Sequence, residues 1–438
     1  MAQFLKDNRF VSIIKNIFGA AAARGINLAI TAFMVPLTLN SLTPAEYAIL
    51  SMAISFSVLA GFADLGLGLS VVNSVSSAVD NNTTREAQEI VSTVWVILLG
   101  ISTIGIILIS LYLAVIFSFN ITISNINLAI LTAGFFIFLG LPAGIAQQLL
   151  FAMQKSYIAN LWVTAGRVAS LIWVWQVVVL SAENLFLLLF GVLGIPMLIS
   201  WLSIAWLRKT RLLNALVITV KYFSPTKLIS SIRTGTRYLV IQVAPYAETG
   251  IDVLLLGYFV GLSEVPAYDV HSKLFMYVVA LMTMIISPVW PGLSSALATG
   301  DVQWTRRLVK VCIFGSPIFA FIFASTIGYF SETIISYWTG QNLKIATTIL
   351  FGFIFFTVFA SLGVAQSAIL NAYSLIKRQS QLVGVYIILT ILLKIWGAIT
   401  FGPIGMIWAL CILNALKSLI FHLLIINHGI LGKDILSK

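Results

Sequence analysis

Apolar residues in this chain come in runs of about twenty or more, separated by short polar stretches. A helix rising 1.5 Å per residue needs roughly 20 of them to cross the hydrocarbon core of a bilayer. On that measure the pattern predicts spans at residues 17–39, 46–70, 90–118, 126–151, 157–180, 184–206, 236–261, 266–297, 308–330, 345–371, 380–401 and 403–425. The expected fold class is all-α integral membrane, with about 12 transmembrane helices. Composition agrees. Of 438 residues, 60% are hydrophobic and 9% charged, against about 25% charged in a soluble domain.

Charge placement orients the spans. With the N-terminus inside, nineteen of the 25 Lys and Arg fall in inner loops and tails and Lys344 alone in an outer loop. Reversing the topology reverses that bias, so both termini are expected in the cytoplasm. The net charge of +11 therefore needs no nucleic-acid partner. The first residues (MAQFLKDNRFVSIIKNIFG) read as a retained amphipathic segment on the membrane surface, because their charges are spread and no cleavage site follows.

The outer loops are short. The longest inner stretch is basic and divides the chain into an N-terminal six-helix lobe (1–206), a cytoplasmic linker (207–235) and a C-terminal six-helix lobe (236–438). The linker suits an interfacial helix on anionic lipid. Gly144-Ile145-Ala146-Gln147 recurs as Gly363-Val364-Ala365-Gln366, and Pro44-Ala45-Glu46-Tyr47 has a counterpart in Pro266-Ala267-Tyr268. The offsets, near half the chain length, suggest duplication into two lobes of like orientation, with transport by alternating access between them.

Charges at membrane depth cost several kcal/mol unless a cavity or partner receives them. Arg167 lies about ten residues into the fifth span, roughly 15 Å deep, and either faces a cavity or sits in a buried pair. Arg24, with Asn27 one turn on, either snorkels inward or faces the same cavity. Lys273 and Lys394 carry the same two readings, and Lys417 reads as an inner-face anchor. Glu248 and Asp252 are spaced i, i+4 on one face of the seventh span. They suggest ion coupling or gating, or else pairing with Arg24 or Arg167. Asp64 opens Asp64-Leu65-Gly66-Leu67-Gly68, where glycines permit a kink, and reads as an inner gate. Five cations against four anions within the spans (Asp64, Glu248, Asp252, Asp269) suit a negatively charged cargo, whose phosphate oxygens Arg fits well.

No metal pattern emerges from His271, His422 and His428, and His271 reads as a satisfied interface histidine. Cys312 and Cys411 read as core hydrophobes. No phosphate-binding loop for ATP is present. No cofactor or catalytic constellation is expected.

Four stretches resemble the O-antigen and capsule repeat-unit flippases, the polysaccharide-transporter branch of the multidrug/oligosaccharidyl-lipid/polysaccharide exporter superfamily. They are Arg24-Gly25-Ile26-Asn27, Tyr47 to Leu67, Gln154-Lys155-Ser156-Tyr157-Ile158-Ala159-Asn160, and Gly250-Ile251-Asp252-Val253-Leu254-Leu255-Leu256-Gly257 followed by Ala267-Tyr268 and Lys273-Leu274. The resemblance implies a fold like the multidrug exporters, with two six-helix lobes and a central cationic cavity. It implies movement of undecaprenyl-diphosphate-linked oligosaccharide across the bacterial inner membrane. Arg24, Arg167, Lys273 and Lys394, with Asn27, would bind substrate; Asp64, Glu248 and Asp252 would gate or couple to an H+ or Na+ gradient. Its implied partners are the lipid-linked oligosaccharide, membrane lipids, and polysaccharide polymerase and chain-length proteins. Two other readings stay open at this point. A multidrug cation exporter of the same fold would favour an acidic cavity. An integral membrane enzyme of polysaccharide assembly would show large outer loops or a catalytic His.

Overall fold

The computed structural model describes residues 8–68, 70–72, 75, 84–119, 122–180, 184–210, 218–287, 289–373 and 375–428. The expected surface segment up to residue 7 and residues 211–217 of the basic linker lie outside the described residues.

Every regular element among the described residues is helical. In chain order they are α1 (Asn8–Ser41), α2 (Pro44–Gly61), α3 (Thr84–Ser118), α4 (Asn125–Gly140), α5 (Ile145–Ala152), α6 (Ser156–Val179), α7 (Leu185–Leu189), α8 (Ile195–Lys209) and α9 (Pro225–Pro245). Then follow α10 (Asp252–Phe259), α11 (Val265–Ile286), α12 (Val289–Thr299), α13 (Val302–Lys310), α14 (Ser316–Tyr329), α15 (Ser331–Thr339), α16 (Thr347–Ala372) and α17 (Ile376–Asn427). A 3₁₀ stretch (Leu141–Gly144) joins α4 to α5. Wide π turns join α7 to α8 (Phe190–Gly194), α9 to α10 (Tyr246–Gly250) and α13 to α14 (Val311–Gly315).

Ten helical stretches among the described residues are long and apolar enough to cross a membrane. The sequence pattern counts twelve. It divides residues 380–425 into two spans and adds one at 236–261, whereas the ten include Arg378–Asn427 once and omit 236–261. The longest of the ten is physically two helices. At Gly402 the backbone takes φ 62° and ψ −144°, a conformation open to glycine. A Cβ built on Gly397 would lie 2.6 Å from the carbonyl carbon of Gly405. Eight residues of straight helix would separate these two by about 12 Å, so the chain reverses there.

Local chemistry explains the helix starts. α2 opens with a capping box, in which Glu46 Oε2 accepts from the Thr43 N–H at 3.0 Å and Thr43 Oγ1 accepts from the Glu46 N–H at 3.3 Å. Pro44 at the first helical position has no N–H to leave unpaired. α11 likewise carries Pro266 in its first turn. The tyrosine that follows each proline, Tyr47 and Tyr268, is among the largest fully buried side chains.

The chain forms two compact units, Met1–Val243 and Ala244–Lys438. The core of the first is built on Leu67, Val71, Val91, Val94, Ala146 and Leu149. In the second, Met282, Leu293, Val309, Ile369 and Phe421 form a cluster, and Phe275 stacks on Phe353 with centroids 5.5 Å apart. Side chains such as Phe33, Leu108, Phe117, Leu161 and Ile318 point outward and are exposed, as a lipid-facing surface requires.

Residues 218–224 are not helical, and helix resumes at Pro225. Arg208 donates to the Ile218 carbonyl at 2.9 Å and lies over the Trp95 ring at 5.4 Å. Thr93 Oγ1 accepts from the Ser224 N–H at 3.0 Å, and Lys227 pairs with Glu86 at 2.5 Å. These contacts tie Ser224 and Lys227 to α3.

Candidate functional site

In the first unit, the turn after α2 sets the wall of a cavity. A single 3₁₀ turn (Phe62–Asp64) ends the helix, and Leu65 and Gly66 follow with φ of 53° and 70°. Asp64 Oδ1 accepts from the Gly66 N–H at 2.8 Å, which holds the left-handed turn. A Cβ on Gly66 would lie 2.2 Å from the Gly235 carbonyl oxygen, and one on Gly235 would lie 2.7 Å from the Leu65 carbonyl oxygen. The turn and α9 therefore meet backbone to backbone.

The cavity has a volume of about 400 Å³ and is lined from α2, the turn, α3, α4, α5, α6 and α8. Its polar groups are Asp64, Arg167, Gln148, Ser57 and Ser200. Ser57 Oγ donates to the Ile54 carbonyl at 2.6 Å and Ser200 Oγ to the Pro196 carbonyl at 3.0 Å. Gln148 Oε1 is buried with no hydrogen-bond partner among the described residues. Arg167 stands near the middle of α6, exposed to this space. None of the ion pairs among the described residues involves it. A planar guanidinium with five donors and one orphaned amide oxygen thus share a cavity at membrane depth.

Arg24 and Asn27 lie one turn apart on α1, apart from this cavity. Arg24 is exposed, and Asn27 Oδ1 is buried without a partner among the described residues.

The second unit arranges its charges differently. The π turn Tyr246–Gly250 carries an Ile251 N–H to Tyr246 carbonyl bond at 3.0 Å. Beside that widened turn, the Ala247 and Glu248 carbonyls accept from Lys394, Ala247 at 3.2 Å. The same ammonium pairs with Asp252 Oδ1, and both side chains are almost fully buried. Three acceptors use all three ammonium protons. Tyr268 donates to the other Asp252 oxygen at 3.1 Å. One turn away, Glu248 pairs with Lys417 at 2.5 Å, and Lys417 lies 4.4 Å from the centre of the Tyr386 ring.

These pairs bear on three expectations. Within the second unit Asp252 pairs with Lys394 and Glu248 with Lys417, because the chain reversal at Gly402 presents two lysines to the acidic face of the seventh span. Lys417 is half of an internal pair rather than an inner-face anchor. Lys394, expected to bind substrate, has no proton left to offer one in this conformation. Lys273 pairs with Asp269 at 2.5 Å along α11 and is partly exposed. His271 is buried, its Nδ1 2.7 Å from the Ala267 carbonyl. Cys312 and Cys411 are buried and free.

The site residues that charge alone did not reveal are Gln148, Ser57 and Ser200. Gln148 adjoins the Gly144-Ile145-Ala146-Gln147 repeat, which marked the region but not its face. Among the described residues, no group of three or more His, Cys, Asp or Glu side chains could hold a metal ion.

Residues 13–297 match the family described as polysaccharide biosynthesis protein. No curated protein sequence matches the chain. Among solved structures, an inward-facing multidrug resistance MATE family transporter of the MOP superfamily is similar at TM-score 0.71 and 14% identity, covering 92% of this chain and 98% of its own. An outward-facing MATE transporter gives TM-score 0.63 and 14% identity, over 96% of both chains. A MOP superfamily transporter from Pyrococcus furiosus, described by a reversed polarity of its binding pocket that suggests a different function, gives TM-score 0.65 and 13% identity, over 95% of this chain and 96% of its own. With residues 13–297 matched and the fold shared over nearly the full length, the chain belongs to the polysaccharide biosynthesis protein family and is a multi-pass membrane protein on the MATE-type transporter fold.

Proposed function

We propose that this protein is a flippase that carries undecaprenyl-diphosphate-linked oligosaccharide repeat units from the inner to the outer leaflet of the bacterial inner membrane, by alternating access. The observation that carries the reading is Arg167: a cation at mid-helix, lining a polar cavity, with no carboxylate paired to it. A diphosphate cannot cross about 30 Å of hydrocarbon unaided. A guanidinium is well matched to its oxygens and stays charged. Membership of the polysaccharide biosynthesis family supports a glycan cargo. Arg24 and Asn27 extend the polar surface along α1, and Lys273 is the one lysine among the proposed substrate contacts that keeps partial exposure in the second unit.

In this reading Asp64 is the gating acid of the first unit, on a strained turn. Glu248 and Asp252 are held by lysines, so an H+ or Na+ gradient would act on them only by displacing Lys394 or Lys417. Glycan polymerase and chain-length proteins would receive the product outside the membrane.

The second reading is drug export, favoured by the multidrug transporters that share the fold and by Asp64 on the cavity wall. Complementation separates the two. In a strain lacking its own repeat-unit flippase, restored surface polysaccharide with loss of the accumulated lipid-linked intermediate is expected. Correct insertion beside a matched glycan pathway without restoration, together with dye efflux, would transfer the function to drug export.

A further inference from the structure

A second cavity lies between α1 and α6 in the first unit, with a volume of about 520 Å³. Phe33, Pro36 and Leu37 wall it from α1, and Leu171, Ile172 and Trp175 from α6. Polar groups enter only at the end of α1, from Asn40 and Ser41. Pro36 sits inside α1, where its ring removes one ladder hydrogen bond and favours a bend. Phe33, Ile172 and Trp175 are all exposed. The groove lies along the C-terminal halves of two packed helices, so it runs lengthwise through one half of the membrane.

Its position on α6 identifies an occupant. Arg167, Leu171, Trp175 and Val178 follow at i, i+4, i+8 and i+11, which places them along one helix face. Arg167 lines the polar cavity, while Leu171, Trp175 and Val178 line the groove. A single face therefore presents an unpaired cation and, beginning one turn later, an apolar aromatic trough. That is the complement of an anionic head on a long hydrocarbon chain.

We propose that the groove between α1 and α6 seats the polyisoprenyl chain of the cargo while Arg167 holds its phosphate. This rests on the flippase reading and adds to it that the tail is gripped by the protein during transfer rather than left to the surrounding lipid. The chain then contributes to selection, because a short prenyl phosphate reaches Arg167 without filling the trough.

The test measures binding to the full-length protein in phosphatidylcholine nanodiscs, by native mass spectrometry. The probes are undecaprenyl phosphate, geranyl phosphate and phosphatidylglycerol. Ile172→Trp fills the groove and Trp175→Ala removes its aromatic wall. Both positions are exposed, and size-exclusion profiles verify that each variant is folded. Each variant is expected to weaken undecaprenyl phosphate about tenfold, roughly 1.4 kcal/mol, and to leave geranyl phosphate unchanged. Arg167→Ala is expected to weaken both. Undecaprenyl phosphate binding equally well to both folded groove variants would overturn the proposal. So would phosphatidylglycerol competing on equal terms, since the groove would then be an ordinary lipid seat. Complementation reports separately: chain-dependent binding without restored polysaccharide would sink the flippase reading alone, and restored polysaccharide with indifferent groove variants would sink the groove alone.

Discussion

Lys394 shows how far a residue's role depends on partners distant in sequence. At its position it read as one of several cations lining a substrate path. In the structure its partner is Asp252, 142 residues away, with Tyr268 completing the carboxylate. Removing one member of a buried pair strands the other charge at a cost of about 3–5 kcal/mol, whereas replacing both with apolar groups is often neutral. Lys394→Met is therefore expected to destabilise the protein strongly, with thermal unfolding in detergent as the measurement. Lys394→Met combined with Asp252→Leu should recover most of the loss. A double variant as unstable as the single one would show that the pair is not the cause. Asp252→Ala strands Lys394 in the same way, so a loss of export in that variant reports folding as much as mechanism. The charges themselves were legible in the sequence as outliers in apolar runs. Which of them neutralise one another was not, because that is set by a chain reversal and by a π turn. A π turn has no propensity signature to read, since it arises when packing favours an i+5 bond over the i+4 bond of the helix.

Among the elements, the spans were legible because twenty apolar residues have few other fates in a folded chain. Residues 236–261 are the hardest case. Their run carries Glu248, Asp252 and a proline, and a test of length and hydropathy passes over it. The glycines of Asp64-Leu65-Gly66-Leu67-Gly68 were legible as a place where α2 loosens. What the loosened turn touches was not, for Gly235 gives no sign in sequence that its backbone meets Gly66. That contact makes a sharp prediction. At Gly235 a methyl would press on the Leu65 carbonyl at 2.7 Å, and backbone on both sides cannot give way as a flexible side chain would. Overpacking of this kind costs about 1–3 kcal/mol. Gly235→Ala is expected to lower the melting temperature, while Gly25→Ala, where nothing lies within 4 Å, should leave it unchanged. Equal melting of the two variants would show that α9 and the turn separate freely.

Over the whole molecule, the two units carry their charges in opposite ways. The second ties Lys394, Lys417 and Lys273 to acids of its own. The first leaves Arg167 on a cavity wall with no acid paired to it. The excess of cations counted along the sequence is thus a poor guide to where an anion would bind, because most of the lysines within the spans are already neutralised. Under the flippase proposal, recognition of the diphosphate would fall mainly on the first unit, with Arg167 dominant in it. A hydrogen bond to a charged group contributes about 1.5–3 kcal/mol, which corresponds to a tenfold or greater change in rate. Arg167→Ala, inserted at wild-type levels, is expected to reduce surface polysaccharide at least tenfold and to accumulate the lipid-linked intermediate. Arg167→Lys should retain part of the activity, since it keeps the charge and loses the bidentate fork. Lys417→Arg, which preserves the pair with Glu248, should export normally. If Arg167→Ala exports as well as wild type while Lys417→Arg fails, the anion site belongs to the second unit, and its ion pairs would have to open during transport.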